Sequence, residues 1–423
     1  MQDGYKISVI TPNYNHGAII HDMLETTLSQ SYPAYEIIII EDGSTDNSRE
    51  VIEDYALKYK NIKILYNEEN KGITYSVNRG IDYATGDYIV FRSADDVSYP
   101  GFFEKSIQML QQHPDTGICC SDAAFFRDDY HSGAEEPHGW SDGPRAFTPF
   151  EFAQVLKGQY IYGSTAVVKA SAVRDVGGFL EGLNWSTDWF LMLAVAFRYG
   201  VCYIPETLAG NRVNPDSYAA AGMAIWEKQK PVVDAMIRYL RTDYRDILPY
   251  FNLSGCMNVF GPQMAEVILS NEEHWNAETL ALVLRPLWEW NKKIDSQYTR
   301  SLATMIRMAL MPQVEKIKHH ARGGGVSIYG AGAHTKHLLA VWNNLELPKI
   351  QEIIVSQKPT EQQFMGFPVK WIEEMKDSVR DMIVLSSLSF EQAMSDMCMK
   401  ILPHIPRIAL WKNELSSEEF LKT

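Results

Sequence analysis

The first part of the chain alternates between short apolar runs and longer segments in which apolar residues recur every three or four positions. The apolar runs have the length of β-strands and lie at Lys6–Thr11, Ile37–Ile40, Ile62–Tyr66 and Tyr88–Phe91. The segments between them have the period of amphipathic helices, as at Ile19, Ile20, Leu24 and Leu28. Strands that alternate with helices at this spacing predict an α/β fold with a doubly wound, mostly parallel sheet.

Polar residues follow three of these predicted strands. They lie at Thr11–His16, at Asp42–Asp46 and at Ser93–Asp96. Because the carboxyl ends of parallel strands share one edge of an open sheet, and ligands bind at that edge, we expect these residues to converge. This edge is the predicted functional site.

The strand Tyr88–Phe91 ends in a polar tip that contains Arg92, Ser93 and two adjacent carboxylates, Asp95 and Asp96. Neighbouring carboxylates repel each other and are most easily tolerated when a cation or hydrogen-bond donors share the site. Hard oxygen ligands suit Mg²⁺ or Mn²⁺. Alternatively, either aspartate caps the helix predicted after Pro100. These residues taken alone leave both interpretations open.

Helical periodicity replaces the strand pattern after residue 222. One apolar stripe comprises Val232, Val233, Met236, Ile237 and Leu240, and another comprises Leu302, Met305, Ile306 and Ala309. The tryptophans Trp275, Trp288 and Trp290 are interpreted as core residues or as an interface with a partner or a second copy. Three domains are therefore predicted, at 1–222, 223–322 (a helical connector) and 323–423.

The last predicted domain is Rossmann-like and begins after Gly323–Gly325. Its predicted strands are Val326–Tyr329, Ile350–Val355 and Asp381–Leu385, and its first turn is Gly330–Gly332. The dinucleotide fingerprint is incomplete, because Thr335 stands where a third glycine or alanine is expected and Ser356 where a ribose-binding acid is expected. NAD binding is therefore disfavoured, and His334 and His337 are interpreted as structural.

The amino-acid composition excludes several classes of function for this chain. The 423 residues are 46% hydrophobic, enough for two or three domains with cores, and the net charge of −14 argues against a general nucleic-acid-binding or anionic-membrane-binding surface. No apolar stretch reaches the length of a membrane span, and no signal peptide is expected. The five scattered cysteines suggest buried thiols in the cytoplasm.

Four motifs in order resemble the family-2 glycosyltransferases of GT-A fold over about residues 5 to 220. They are Thr11-Pro-Asn-Tyr-Asn15, Asp42-Gly-Ser-Thr-Asp46, the stretch from Asn70-Lys-Gly72 to Asp87, and Ser93-Ala-Asp-Asp96. The resemblance implies a nucleotide-sugar donor, with UDP-sugars the expected class. It implies a hydroxyl acceptor in a glycan, a lipid-linked saccharide or a protein. Processive polysaccharide synthesis is disfavoured, since the chain lacks the family's QxxRW signature.

The resemblance also assigns roles to residues of the predicted site. The loop with Thr11, Pro12 and Tyr14 would lie against the base of the nucleotide, and Asp42 would contact base or ribose. Asp95 would lie near the ribose and the metal, and Asp96 would be the first metal ligand. Many family members carry an aspartate at the position of Ser93, so the division of roles between the two acids stays open.

Asp188 opens an apolar helix in Asn184-Trp-Ser-Thr-Asp188 and falls where the family places its catalytic base, with Thr187 in place of the usual glutamate. Taken alone it is a helix-start acid favoured by the helix dipole. Arg212 is expected to meet the diphosphate, and Asn214 replaces a histidine, which leaves the third metal ligand unassigned. Lys71 and Arg79 are either diphosphate or base contacts or solvated charges.

The resemblance implies an inverting transfer in which Asp188 activates the acceptor and Mn²⁺ or Mg²⁺ neutralises the leaving diphosphate. The loop Arg127–Pro144 is interpreted as a lid or acceptor-contacting segment, with Trp140 stacking on a sugar, or as a surface excursion. Two other functions stay open: a cofactor-dependent oxidoreductase that uses the carboxyl-terminal domain, and a noncatalytic protein that binds sugar nucleotides.

Overall fold

The computed structural model describes residues 4–215 and 217–260, isolated positions between 264 and 317, and the segments 325–330, 349–359, 362–364, 366–375, 382–385 and 407–409. The chain divides into two compact units, Met1–Tyr250 and Phe251–Thr423. The predicted domain boundaries near residues 222 and 322 stay predictions.

The first unit is built on one mixed sheet. Its strands are β1 (Ile7–Asn13), β2 (Glu36–Asp42), β3 (Ile62–Asn67), β4 (Tyr88–Phe91), β5 (Val97–Ser98), β6 (Ile118–Phe126), β7 (Ala134–Glu136), β8 (Arg145–Phe147), β9 (Ala166–Lys169) and β10 (Val201–Arg212). Among the described residues the sheet order is β3-β2-β1-β4-β9-β6-β10-β5, with β7 on β6 and β8 on β10. The predicted α/β sheet is confirmed.

The helices between residues 20 and 199 contact strands of this sheet, and further helices follow in the chain. They are α1 (Ile20–Leu28), α2 (Ser48–Lys58), α3 (Ile73–Tyr83), α4 (Phe102–Gln112), α5 (Pro149–Leu156), α6 (Ala170–Asp175), α7 (Thr187–Tyr199), α8 (Tyr218–Met223), α9 (Trp226–Arg241) and α10 (Leu248–Ser254). The first apolar stripe predicted after residue 222 lies on α9, and its five members are fully buried.

The composition of β2 follows from its place inside the sheet. All four isoleucines of Ile37–Ile40 in β2 are fully buried, since this strand has parallel neighbours β1 and β3 and is covered on both faces. β9 is different, because it runs antiparallel between β4 and β6. Its first residues therefore lie at the carboxyl edge of the parallel strands, and the chain before β9 reaches the site from the opposite direction.

Close packing of α3 on the sheet depends on Gly80. A β-carbon at this position would lie 2.5 Å from Cγ2 of Ile10 and 3.0 Å from Cδ1 of Ile40. Gly80→Ala should therefore lower the free energy of unfolding by about 1–3 kcal/mol through overpacking, less the gain of up to about 1 kcal/mol in helix propensity. Urea denaturation followed by circular dichroism measures the change.

The matched control for Gly80→Ala is Gly143→Ala, because a β-carbon at Gly143 meets no atom within 4 Å. The control should unfold at the same urea concentration as the wild type. Equal destabilisation by the two substitutions would contradict the packing argument.

The second unit contains a smaller sheet, confirmed as a separate element of the fold. Its strands are β11 (Val326–Tyr329), β12 (Ile350–Val355), β13 (Gln363–Phe364), β14 (Phe367–Trp371), β15 (Met382–Leu385) and β16 (Arg407–Ala409), in the described order β13-β14-β12-β11-β15-β16. All neighbours are parallel except β13 and β14. The three predicted strands are present within a residue of their predicted bounds, whereas β13, β14 and β16 were not predicted.

Several predictions fall outside the described residues. They concern Thr335, the histidines His334 and His337, the three tryptophans Trp275, Trp288 and Trp290, and the stripe that begins at Leu302. The Rossmann-like character of the second unit and its cofactor preference therefore stay predictions.

Two further sequence expectations can be compared with the described residues. Cys119, Cys120, Cys202 and Cys256 are free and buried, as predicted, whereas Cys398 lies outside the described residues. No helix among the described residues has both the length and the apolar character that a membrane crossing requires.

Candidate active site

The loops after β1 and β2 are joined by hydrogen bonds at the carboxyl edge of the sheet. Oδ1 of Asn15, a residue with φ of +59°, accepts the N–H of Thr45 at 2.8 Å, and the hydroxyl of Ser44 accepts the N–H of Asn15 at 3.0 Å. Asp46 accepts the N–H groups of Gly17 and Ser48, each at 2.9 Å. The two predicted motifs therefore form one rigid wall of the site.

Asp42, predicted to contact the nucleotide, is buried and holds a neighbouring loop. Its Oδ1 accepts the N–H of Lys71 at 2.9 Å and the side-chain amide of Asn67 at 2.6 Å, and its Oδ2 accepts the N–H of Gly72 at 3.0 Å. A carboxylate has about four acceptor positions, so one remains on Oδ2. The nucleotide contact of Asp42 stays a prediction.

The three residues predicted in the first loop differ in how far their side chains are exposed. Thr11 is fully buried, with its hydroxyl 3.9 Å from Sδ of Met23, so its side chain does not enter the site. Pro12 is half-buried, and Tyr14 is 41% exposed. Of the three, Tyr14 offers the largest surface to a ligand.

Lys71 and Arg79 line a cleft of about 570 Å³ beside α3. Lys71 pairs with Glu69, and Arg79 donates to the carbonyl of Tyr66 at 2.7 Å and to Oδ1 of Asn67 at 2.6 Å. Both cations are thus engaged within the protein. Neither Asp95, Asp96 nor Asp188 lines this cleft, so it is not the meeting point of the three acids.

Asp95 and Asp96 lie half-buried on the turn between β4 and β5. The pKa of Asp96 is raised to about 8, first by removal from water and then by the charges of Asp95 and Asp188, against opposing effects of Arg92 and the N–H of Arg212. The helix-cap interpretation of these acids is wrong, because α4 starts at Phe102 with Gly101 as its N-cap and no side-chain cap.

Asp188 lies in the first turn of α7 and is half-buried. Burial raises its pKa, while its own N–H and that of Trp189 oppose the shift. The charge of Asp188 also raises the pKa of Asp96, as the smallest of the named effects, so the two carboxyl groups lie within electrostatic range although far apart in sequence. The structure thus brings together the three acids that the sequence singled out, while their roles stay predictions.

Gly163 lies directly against Asp188. A β-carbon on Gly163 would be 3.1 Å from Oδ2 of Asp188. Gly163 belongs to the segment before β9, where the next residue, Ser164, donates to Oδ1 of Asn211 at the end of β10. The segment before β9 therefore forms the wall of the site beside Asp188, a role that the sequence did not indicate.

Arg212 connects the acidic turn to its surroundings. Its N–H donates to Oδ1 of Asp96 at 3.1 Å and its Nε to the carbonyl of Asp95 at 3.3 Å. Its Nη2 pairs with Asp22 of α1 at 2.7 Å, and its Nη1 donates to the carbonyl of Arg127 at 2.6 Å. Arg212 positions the turn through these contacts, and its predicted diphosphate contact stays a prediction.

Two residues expected at the surface of the site are buried instead. Arg92, predicted in the polar tip, is 1% exposed and lies beneath the turn. Trp140, predicted to stack on a sugar, is 7% exposed, packs on Phe152 and Tyr203 and donates to Gln159. The stacking prediction for Trp140 is wrong, because the loop that carries it folds back onto β6 through β7.

The comparisons with known proteins agree with this geometry. A model of glycosyl transferase family 2 matches residues 8–177. The chain is 35% identical over 223 residues to the putative teichuronic acid biosynthesis glycosyltransferase TuaG of Bacillus subtilis strain 168, an alignment that covers 51% of this chain and 84% of TuaG. The chain belongs to glycosyltransferase family 2. The resemblance stated from the four motifs is confirmed.

Other relatives of this family-2 chain share shorter regions. It is 41% identical over 126 residues to the uncharacterized glycosyltransferase YibD of Escherichia coli strain K12, which is 30% of this chain and 36% of YibD. The chain thus spans about a third of YibD. The crystal structure of S. aureus TarS shares the fold with a TM-score of 0.50, at 16% identity, over 68% of this chain and 52% of TarS.

The acidic turn of this family-2 chain suits a divalent cation. Among the described residues no group of three or more histidines, cysteines, aspartates or glutamates could hold a metal by itself. Asp95 and Asp96 supply two adjacent carboxylates, and the charge of one raises the pKa of the other, which shows unrelieved negative charge. Mg²⁺ is commonly held by one or two carboxylates together with substrate phosphates, so this donor set fits the expected Mn²⁺ or Mg²⁺.

A buried network on β6 stabilises the loop beside the site. Asp122 accepts the N–H of His138 at 2.9 Å, its Nδ1 at 2.8 Å and the hydroxyl of Tyr203 at 2.8 Å. Burial alone would raise the pKa of Asp122, but the bonds from His138 and Tyr203 together hold that pKa below its usual value. Folding therefore favours the ionised carboxylate of Asp122.

This network should make the free energy of unfolding depend on pH in the acidic range. Because the folded pKa of Asp122 is depressed, its contribution is complete above the unfolded pKa of about 3.9 and is lost as pH falls through the folded pKa. Asp122→Asn should lower the free energy of unfolding at pH 7 by about 1–3 kcal/mol and flatten its fall below about pH 4. Melting temperature measured against pH tests this.

Asp54→Asn is the control for Asp122→Asn, since Asp54 is exposed on α2. Its melting temperature should follow the wild type at every pH. Curves for Asp122→Asn and wild type that run parallel down to pH 3 would contradict the assignment.

Proposed function

We propose that this chain is an inverting, metal-dependent glycosyltransferase that moves a sugar from a nucleotide-sugar donor to a hydroxyl of an acceptor. The observation that carries the proposal is the convergence of Asp95, Asp96 and Asp188 at the carboxyl edge of the sheet. Membership of family 2 supports the reaction class.

Asp188 is proposed as the general base. It takes the proton of the acceptor hydroxyl as that oxygen forms a bond to the anomeric carbon, while the bond from the anomeric carbon to the diphosphate oxygen breaks. Attack from the face opposite the leaving group inverts the anomeric centre without a covalent intermediate. Positioned proton transfer of this kind contributes about 10²–10⁴-fold in rate.

Asp95 and Asp96 are proposed to hold Mn²⁺ or Mg²⁺ together with the diphosphate. The cation, when bound, would neutralise charge that develops on the leaving nucleoside diphosphate. Arg212 holds the turn in place, and the joined loops of Asn15 and Thr45 bound the region expected to receive the base.

UDP-sugars are the proposed donor class, and a glycan or glycoconjugate of the cell surface is the proposed acceptor. The relative TuaG, whose name assigns it to teichuronic acid biosynthesis, supports an acceptor of the polysaccharide type. The acceptor hydroxyl would reach Asp188 beside the wall that the segment before β9 forms.

The test is a panel of UDP-, GDP-, TDP- and CMP-sugars incubated with the full chain and Mn²⁺, with release of the nucleotide measured. We expect metal-dependent release from one nucleotide class, and thermal stabilisation by the same nucleotide. Stabilisation by NADH or NADPH, with neither stabilisation nor turnover by any nucleotide sugar, would contradict the proposal and favour an oxidoreductase. Binding of a nucleotide sugar without turnover, with or without acceptor glycans, would favour a noncatalytic binding protein.

A further inference from the structure

Arg92 is a buried cation directly beneath the acidic turn. Its side chain is 1% exposed, and its guanidinium lies 5.3 Å from the centre of the Phe102 ring. Nη1 donates to the carbonyl of Val97 at 3.1 Å, whereas Nε and Nη2 have no hydrogen-bond partner within the described part of the chain. A buried charge with so few partners is costly unless its surroundings compensate for the loss of water.

The bond from Arg92 to Val97 spans the turn that carries both carboxylates. The backbone N–H of Arg92 is fixed at the end of β4 by the carbonyl of Ile10 at 2.9 Å. The residues between Arg92 and Val97 are Ser93–Asp96, so the guanidinium closes the loop on which Asp95 and Asp96 are presented. This geometry fixes the backbone of the acidic turn from below.

The charge of Arg92 acts on Asp96 of this turn. No carboxylate among the described residues lies within ion-pair distance of its guanidinium, and Asp96 is the acid whose charge acts on it from the turn. A fixed positive charge lowers the mutual repulsion of two adjacent carboxylates, and it also repels an incoming cation. The diphosphate of a donor would bring negative charge to the turn and offset that repulsion.

We propose that Arg92 supplies the countercharge of the acidic turn, so that a divalent cation binds tightly only together with a nucleoside diphosphate. The inference rests on the proposed function, because it takes Asp95 and Asp96 as the cation ligands. It makes tight binding of the cation depend on the nucleoside diphosphate, a dependence that the two carboxylates alone do not require.

The experiment measures Mn²⁺ binding to the metal-free full chain by titration calorimetry, first without nucleotide and then with UDP. Arg92→Met and Arg92→Gln remove the charge, and Arg92→Lys keeps it. Without nucleotide, the two neutral variants should bind Mn²⁺ at least about fivefold more tightly than wild type. Arg92→Lys should stay within about twofold of wild type, and UDP should tighten Mn²⁺ binding less in the neutral variants.

Two controls make the result specific. Arg49→Met removes an exposed arginine on α2 that pairs with Glu53, and it should leave Mn²⁺ affinity unchanged. Asp96→Asn should abolish binding in the wild-type and in the Arg92→Met background. Circular dichroism establishes which variants are folded, and either neutral variant suffices for the comparison.

Unchanged or weaker Mn²⁺ binding by a folded neutral variant would overturn the role of Arg92 while leaving the Asp96-dependent site intact. Arg92→Lys behaving like Arg92→Met would also overturn it, because the proposal depends on the charge. Mn²⁺ binding that Asp96→Asn does not alter would overturn the proposed cation site itself.

Discussion

Replacing Asp188 by asparagine should lower the rate of sugar transfer by about 10²–10⁴-fold and leave donor binding intact. The amide has nearly the same shape as the carboxyl group but cannot accept the proton of the acceptor hydroxyl. Asp188 lies in the first turn of the buried helix α7, so the substitution removes a charge that burial already disfavours. Initial rates with the donor found in the nucleotide-sugar panel, together with donor affinity, measure the two effects separately.

Asp54→Asn serves as the control for Asp188→Asn, since it makes the same chemical change at an exposed position of α2. Its transfer rate should equal that of the wild type. Equal rates for Asp188→Asn and wild type would show that Asp188 is not the base. A loss of donor affinity as large as the loss of rate would assign it to binding instead.

Removal of the divalent cation should reduce transfer at least about 100-fold, and Asp96→Asn should have the same effect at saturating donor. Charge stabilisation by a bound cation contributes several kcal/mol, and each 1.36 kcal/mol corresponds to about tenfold in rate. Treatment with EDTA followed by addition of Mn²⁺ tests the first statement. Addition of Mn²⁺ should restore the wild type and fail to restore Asp96→Asn.

The comparison for Asp96→Asn is Asp175→Asn, at the end of α6, whose carboxyl group contacts Tyr199 and Arg198 at the surface. This variant should respond to EDTA and Mn²⁺ as the wild type does. Full activity of the EDTA-treated wild type, with no metal found by elemental analysis, would contradict metal dependence.

The strands β1 to β4 could be predicted because each contains a continuous apolar run bounded by polar residues. Ile37–Ile40 shows this most clearly, since burial on both faces requires apolar residues at every position. β9 could not be predicted in the same way. It spans only Ala166–Lys169, and its antiparallel direction depends on contacts with β4 and β6 that are distant in sequence.

Asp95 and Asp96 were predictable because strand ends in a parallel sheet meet at one edge, and both follow β4. Asp188, in the first turn of α7, was singled out only through the family resemblance. The partners of these acids were not predictable. Asp22 reads as an ordinary polar residue of α1, and only the folded chain brings it to Arg212.

The errors have a common physical cause, which is that burial of a single polar or aromatic side chain depends on tertiary packing. Arg92 stands beside acids in the sequence, yet its side chain turns inward to Val97 and Phe102. Trp140 lies in a segment rich in glycine and acidic residues, yet it packs on Phe152 and Tyr203. The composition of a segment does not predict whether a single side chain in it points into the core or towards solvent.

Gly163 limits how this protein could be engineered. Even a methyl group there would press on the carboxylate of Asp188, because the two would be only 3.1 Å apart. A library that seeks new acceptors should therefore leave residue 163 fixed and vary other parts of the wall, since glycine at this position leaves room for the Asp188 carboxylate.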